Sequence, residues 1–213
     1  MKQRQLEILL QHVPRIESPT PRLEQYMTPA SIAADVLFTA YQRGDIEGKT
    51  VVDLGCGTGI FSVGAMYMGA REVYGIDVDK NSINLAAQFA RSKGFPIHFQ
   101  AQDVTAVTTR CDTILMNPPF GAQKSNQNAD RRFLEKGFDI ADVIYTLHLA
   151  KTIPFIEKMI RALHGEITYR KNYNFPIKWM FPFHEKEVMA QNVTLLRIQT
   201  HSDTSPLSKT PKI

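Results

Sequence analysis

Two short segments carry most of the chemistry open to this chain. The first, Val51-Val52-Asp53-Leu54-Gly55-Cys56-Gly57-Thr58-Gly59, places a glycine-rich turn between an apolar run and a helical pattern. Glycines there let the backbone turn sharply and let a ligand approach where a Cβ atom would stand. Asp77 ends the next apolar run, about 20 residues on, where a carboxylate can accept from ribose hydroxyls. Asp103 follows the third run and can accept from an adenine amino group. A dinucleotide site has G-x-G-x-x-G and seats pyrophosphate on a helix N-terminus. Here the spacing is G-x-G-x-G and Asp53 precedes it, which repels pyrophosphate and suits a cationic ligand such as S-adenosylmethionine. A tight strand-to-helix turn with no ligand is the plain alternative, and three aspartates at strand ends weigh against it.

The second segment is Asn117-Pro118-Pro119-Phe120, directly after the apolar run Thr113–Met116. Two prolines stiffen the chain and remove two N–H donors, leaving carbonyls as acceptors. Asn117 adds a side-chain carbonyl, and Phe120 offers a flat face for stacking. Together they can hold an exocyclic amine by its two hydrogens and turn its lone pair toward an electrophile. The proton can leave after transfer, so no strong base is needed. A strand-ending turn with a core phenylalanine explains an Asn-Pro-Pro-aromatic run less well.

These segments need a frame of alternating strands and helices. Strands are predicted at 51–54, 73–77, 97–100, 113–116, 143–147, 166–170 and 193–199, and helices at about 2–13, 30–43, 60–68, 80–93 and 153–163. Thr28-Pro29 reads as N-cap and first helical position. Such alternation predicts an α/β fold with a parallel sheet covered on both faces. The last two strands have no helix between them and are expected to form an antiparallel edge. Residues 1–29 are read as an N-terminal helix and covering segment and 30–200 as the main domain. Residues 201–213, rich in Ser, Thr, Pro and Lys, are expected to be disordered.

Composition sets outer limits. The chain has 213 residues, 43% hydrophobic and 22% charged, enough for one α/β domain and too apolar for wholesale disorder. There is no apolar run long enough for a membrane span and no secretory leader, so a soluble cytoplasmic protein is expected. Cys56 and Cys111 make neither a disulfide scaffold nor a four-ligand zinc site, and no metal is expected. A net charge of +4 permits a polyanionic partner without demanding one.

The pair DLGCGTG and NPPFG resembles the class I S-adenosylmethionine-dependent amino-methyltransferases. EQYMTPASIAADVLF, NPPFGAQKSNQNADRRFL, VIYTLHL and FPFHEK narrow the resemblance to the methyltransferase-like protein 5 family, over roughly Glu24 to Gln199. The resemblance implies a Rossmann-like, doubly wound, mostly parallel seven-stranded sheet and N6 methylation of an adenosine in small-subunit ribosomal RNA. It further implies that Gln25, Tyr26 and Thr28 close over the cofactor's methionine end, that Asp53, Gly55, Gly57 and Gly59 line it, and that Asp77 and Val78 meet the ribose side. Asp103 and Val104 would lie near the adenine, and Asn117, Pro118, Pro119 and Phe120 would hold the target base, with Asn117 counted among the cofactor contacts as well. Some relatives use a small zinc-binding activator protein that adds to a sheet edge, here near Ile97–Ala101. The chain departs in Met27, where the family often has proline, and in the tail after Thr200.

The stretch from Arg170 to Lys186 interleaves cations with aromatics, a pattern suited to phosphates and splayed bases. Lys171, Lys178 and Lys186 are the candidate RNA contacts there. Gly121–Arg132, with Lys124, Arg131 and Arg132, is read as a loop beside the target pocket. His148 is read as either an RNA contact or a satisfied buried histidine. Other substrates remain open: a protein glutamine amide, a guanine N2 amine or a DNA adenine, as does a catalytically silent cofactor-binding module.

Overall fold

The structure, a computed structural model, describes residues 3–16, 27–120, 129–177 and 189–200. The seven strands are β1 (Thr50–Leu54), β2 (Glu72–Asp77), β3 (His98–Ala101), β4 (Cys111–Met116), β5 (Ala141–Leu149), β6 (Glu166–Ile177) and β7 (Met189–Gln199). They form one sheet in the order β3-β2-β1-β4-β5-β7-β6. The first five strands of that order run parallel, and β7 is antiparallel to both neighbours. The chain moves outward from β1 to β2 and β3, then returns to the other side of β1 for β4. That reversal opens a crevice at the carboxyl ends of β1 and β4, where open α/β sheets bind ligands. Leu54 pairs with Met116, so Gly55 and Asn117 are the first residues beyond the same rung.

Strand periodicity divides the core in two. Val51, Val73, Leu115, Tyr145 and Leu195 face one side, where α1 (Gln3–Leu10), α2 (Ala30–Gln42) and α3 (Ile60–Tyr67) bury Leu6, Leu10, Leu37 and Phe61. Val52, Leu54, Ile114, Ile144 and Leu196 face the other, against Leu134 of α5 (Ala129–Ile140) and Ile156 and Ile160 of α6 (Ile153–Ala162). The remaining helix, α4 (Lys80–Ser92), packs on β2 and β3. Among the described residues no helix is long and apolar enough to cross a membrane.

Three expectations are corrected. Residues 129–140 are a helix rather than the end of a loop, so Arg131 and Arg132 sit on α5. Its interior Gly137 disguises it, since glycine weakens a helix by about 1 kcal/mol relative to alanine. The structure supplies the reason: a Cβ there would stand 2.8 Å from Ile144 Cδ1, so this helix lies close on β5. β6 and β7 are longer than predicted and overhang the end of β5. Finally, α2 begins at Ala30 behind Pro29 with no side-chain cap, because the Thr28 hydroxyl is occupied elsewhere.

Candidate active site

Asp53 lies next to last in β1 and is buried, 1% exposed. Its Oδ2 accepts from the Ser62 amide at 2.9 Å and the Ser62 hydroxyl at 2.6 Å. Its Oδ1 is buried with no hydrogen-bond partner among the described residues. Burial pushes the carboxyl up to about 7, against the two Ser62 bonds and with some help from the Asp77 charge. An oxygen left in that state is free to receive a donor that the described residues do not supply. Ser62 gives no signal in the sequence, since it is one of several small residues in an apolar helix.

The glycine turn follows. The Gly55 and Cys56 amides both donate to the Ile76 carbonyl, at 2.8 and 2.9 Å, tying the turn to the neighbouring strand. Gly59 has φ 87°, and a Cβ there would meet Phe99 at 3.0 Å, so this position needs glycine for conformation and for space. The Gly57 amide donates to Asp77 Oδ2 at 2.8 Å, which brings together two of the predicted residues. Asp77 Oδ1 accepts from the Asp79 amide at 2.8 Å. Burial raises the Asp77 carboxyl above its ordinary range, opposed by the Asp79 and Gly57 amides. Asp79, not singled out from the sequence, caps α4 through the Asn81 and Ser82 amides; its position just before a helical pattern was the available signal. Cys56 is buried and its thiol is pushed up by burial and by the Asp53 and Asp77 charges, which makes it a poor nucleophile.

Val78 is 56% exposed, an unusual state for valine, and sits beside Asp77 at the crevice. Asp103 lies past β3 and is exposed, accepting from the Thr105 hydroxyl and amide, which hold it below the ordinary carboxylate value. Val104 instead packs in the core.

On the other side of the crevice Asn117 Nδ2 donates to Thr28 Oγ1 at 3.1 Å, across 89 residues of sequence. That bond fixes the amide and turns its carbonyl away; Oδ1 is buried without a partner among the described residues. Pro118 is buried beside it. Phe120 is 9% exposed and meets Phe175 edge to face at 5.9 Å, so the overhanging end of β6 braces this loop from behind. The same side chain therefore belongs to the core as well as to the loop.

The basic residues divide. Lys171, expected at a phosphate, is instead paired with Asp35 of α2 at 2.7 Å, where Tyr173 also donates. Arg131 pairs with Glu135 on its own helix, and Arg132 is exposed. His148 is fully buried between the Thr146 hydroxyl and Asp130 at 2.8 and 2.9 Å, which excludes it from a surface role and ties the first turn of α5 to β5. Gln25, Tyr26, Lys124, Lys178, Lys186 and the tail lie outside the described residues.

A seven-stranded sheet of this order, with an aspartate-and-glycine turn and an Asn-Pro-Pro-Phe loop facing each other across the switch point, defines a class I methyltransferase. The family model described as methyltransferase small domain matches residues 31–140. Relatives include the rRNA N6-adenosine-methyltransferase METTL5 of Danio rerio, 33% identical over 92% of this chain and 98% of its own. Mettl5 of Drosophila melanogaster, an rRNA N6-adenosine-methyltransferase, is 34% identical over 85% and 89%. A crystal structure from Pyrococcus horikoshii, described as a candidate RNA methyltransferase, superposes with a TM-score of 0.87 at 37% identity, covering 94% of this chain and 98% of that one. The chain belongs to the methyltransferase small domain family and, within it, to the METTL5 family. Its cofactor is S-adenosylmethionine. The residues present fit that group: the orphaned Asp53 Oδ1 suits an ammonium, and the glycine turn leaves room for a ligand against the backbone.

Proposed function

We propose that this chain is a cytoplasmic enzyme that methylates N6 of an adenosine in small-subunit ribosomal RNA. The observation that carries the reading is the Asn117 carbonyl, buried, with its amide bonded to Thr28 and no partner for the oxygen among the described residues, just past the rung that also leads into the glycine turn. An acceptor kept in that state by a fold costs stability, and an incoming amine hydrogen is what would satisfy it. The two METTL5 relatives, named for adenosine N6 in rRNA, support adenine as the owner of that amine.

Bound S-adenosylmethionine supplies an electrophilic methyl group. Asp53 Oδ1 would receive its ammonium, Asp77 its ribose hydroxyls with Val78 beside them, and Gly55, Gly57 and Gly59 would clear its path, with Asp103 on the adenine side and Val104 in the core behind it. Gln25 and Tyr26 would cover the methionine end, while Thr28, whose hydroxyl accepts from Asn117, holds that amide in place. Asn117 Oδ1 and the Pro118 carbonyl accept the two N6 hydrogens, which drives the nitrogen toward tetrahedral geometry and aims its lone pair. Pro119 stiffens the loop and Phe120 backs the base. No side chain is asked to remove a proton before transfer, so alignment is the main contribution. The target adenosine is unpaired or flipped, because N6 is inaccessible within a duplex. Lys124, Arg132, Lys178 and Lys186 meet phosphates. A small zinc-binding activator adds a strand to β3, which lies at the sheet edge with mostly exposed residues.

The test is transfer of labelled methyl to isolated small-subunit RNA, followed by nucleoside analysis, with and without the activator. Labelled N6-methyladenosine is expected. Asn117→Ala should lower kcat by roughly 10²–10³, as loss of one preorganised transition-state hydrogen bond does elsewhere, while leaving cofactor binding intact. Label in N2-methylguanosine or in protein glutamine would move the substrate and keep the site.

A further inference from the structure

The Asn-Pro-Pro-Phe loop follows β4 at the carboxyl edge of the sheet, and β5 delivers the next surface along that edge. After Leu149 the chain makes a 3₁₀ turn, Ala150–Thr152, and enters α6 through Pro154. Only three large apolar side chains are markedly exposed among the described residues: Val78 in the crevice, Ile8 on α1, and Phe155 at 55% in the first turn of α6. A lone exposed phenylalanine is ordinary on a protein surface, so a reason to single this one out must come from what surrounds it.

Its neighbours give one. Lys158 is exposed three residues after Phe155 on the same helix, a spacing that shares a face, and Lys151 is exposed four residues before Phe155 in the 3₁₀ turn that leads into α6. Arg161 continues the exposed row. None of these three cations has an ion-pair partner among the described residues. The one acidic residue of α6, Glu157, is taken by Arg170 from β6. The opposite face of α6 is apolar and committed to the core through Ile153, Ile156 and Ile160. The outer face is therefore an aromatic flanked by unpaired cations, arranged from the rim of the site down one side of the molecule.

We infer that Lys151, Phe155 and Lys158 form a binding surface for a single-stranded RNA segment flanking the target adenosine. Phe155 stacks on one base, and Lys151 and Lys158 pair with phosphates on either side. A protein partner would gain less from this face: three cations without a compensating carboxylate favour a polyanion, and an isolated aromatic among them suits a planar base. A duplex offers no splayed base for Phe155. The inference rests on the RNA reading above and adds to it where the strand runs once its adenosine is held.

The experiment measures binding and steady-state methylation of small-subunit RNA by the full chain at several salt concentrations, comparing the parent with Phe155→Ala, with Lys151→Ala/Lys158→Ala, and with Ile8→Ala as an exposed apolar control. Phe155→Ala should weaken RNA binding and raise KM by about tenfold with kcat retained, the usual scale for loss of one stacked base. The double lysine variant should flatten the slope of log affinity against log salt by about 1.4, since each single-strand phosphate contact contributes about 0.7. Ile8→Ala should change neither. If Phe155→Ala and the lysine variant bind and methylate RNA as the parent does, the surface is wrong while the RNA reading stands. If the parent itself neither binds nor methylates RNA, the RNA reading falls and this surface falls with it.

Discussion

Two buried aspartates, one ahead of β1 and one near the end of it, are treated oppositely by the fold. Asp45, just before the strand, is 7% exposed and fully engaged. Arg197 reaches it with two nitrogens, at 2.8 and 3.1 Å, and the Tyr145 hydroxyl donates at 2.6 Å. Asp53, near the far end of the same strand, is 1% exposed and receives only Ser62, on one oxygen. Its other oxygen has no partner among the described residues. The Asp45 cluster joins the α2–β1 connection to β5 and β7 and is complete. The Asp53 carboxylate is not completed by any described residue. Asn117, across the crevice, is incomplete in the same way. A buried polar group that the fold leaves unfinished is a better marker of the site than burial or charge alone, because both aspartates share those.

The sharpest way to break this comparison is to make the finished aspartate unfinished. Arg197→Ala strips Asp45 of its cation and leaves a buried charge facing one tyrosine hydroxyl. Removing one partner of a buried pair costs about 3–5 kcal/mol, which should appear as a large drop in the urea midpoint. The protein that remains folded should transfer methyl at the parent rate per folded molecule. A comparable loss of kcat would show that the network belongs to the site after all.

Asp53→Asn tests the other side and should go the opposite way. Burial raises the Asp53 carboxyl to about 7 from an ordinary 3.8. Between those values the ligand-free folded state holds more protons than the unfolded chain, so stability falls as pH rises from about 4 through 7. Asparagine carries no charge to bury and should remove that slope. At pH 8 the ligand-free variant should therefore be more stable than the parent, with the gap closing as pH falls from about 7 toward 4. Cofactor affinity should drop at the same time by roughly tenfold to a hundredfold, the scale of one charged hydrogen bond. In the parent that affinity should rise with pH toward 8, and in the variant it should be flat. Titration calorimetry and urea melts across pH 5–8 check both arms; a variant destabilised at pH 8 would mean that Asp53 is structural.

The glycine turn and Asp77 come together as their spacing suggests, because the signals for that geometry are local. A glycine turn, an aspartate within four residues of it and another at the next strand end all follow from spacing along the chain. The acceptor side was half readable. Asn-Pro-Pro-Phe is a local signal too, but what holds it is not: Thr28 lies 89 residues from Asn117, and no pattern in EQYMTPAS distinguishes a helix cap from a latch. Lys171 and Tyr173 looked like a basic aromatic surface because Asp35, 136 and 138 residues away, cannot be seen from their own neighbourhood. Phe175 is fully buried behind Phe120 for a similar reason: the overhang of β6 past β5 depends on register, which composition does not encode. The α5 helix was hidden by Gly137, whose role is set by a contact with Ile144 in another element. Local chemistry was legible, and cross-chain completion was not.

The smallest expected effect probes that completion directly. Thr28→Val keeps the volume of the side chain and deletes the oxygen that accepts from Asn117 Nδ2. The Asn117 amide would then be free to rotate, and its carbonyl would no longer be held toward the crevice. A neutral hydrogen bond of this kind is worth about 1 kcal/mol, so kcat should fall by roughly fivefold, with cofactor affinity and the urea midpoint close to the parent's. The split between parameters matters more than the size. Were Thr28 only a packing residue beneath α2, the variant would lose stability and keep kcat. Were it a direct cofactor ligand instead, affinity for S-adenosylmethionine would fall and kcat at saturation would hold. A kcat loss alone assigns the hydroxyl to orienting Asn117, and so places the unfinished carbonyl at the reacting amine.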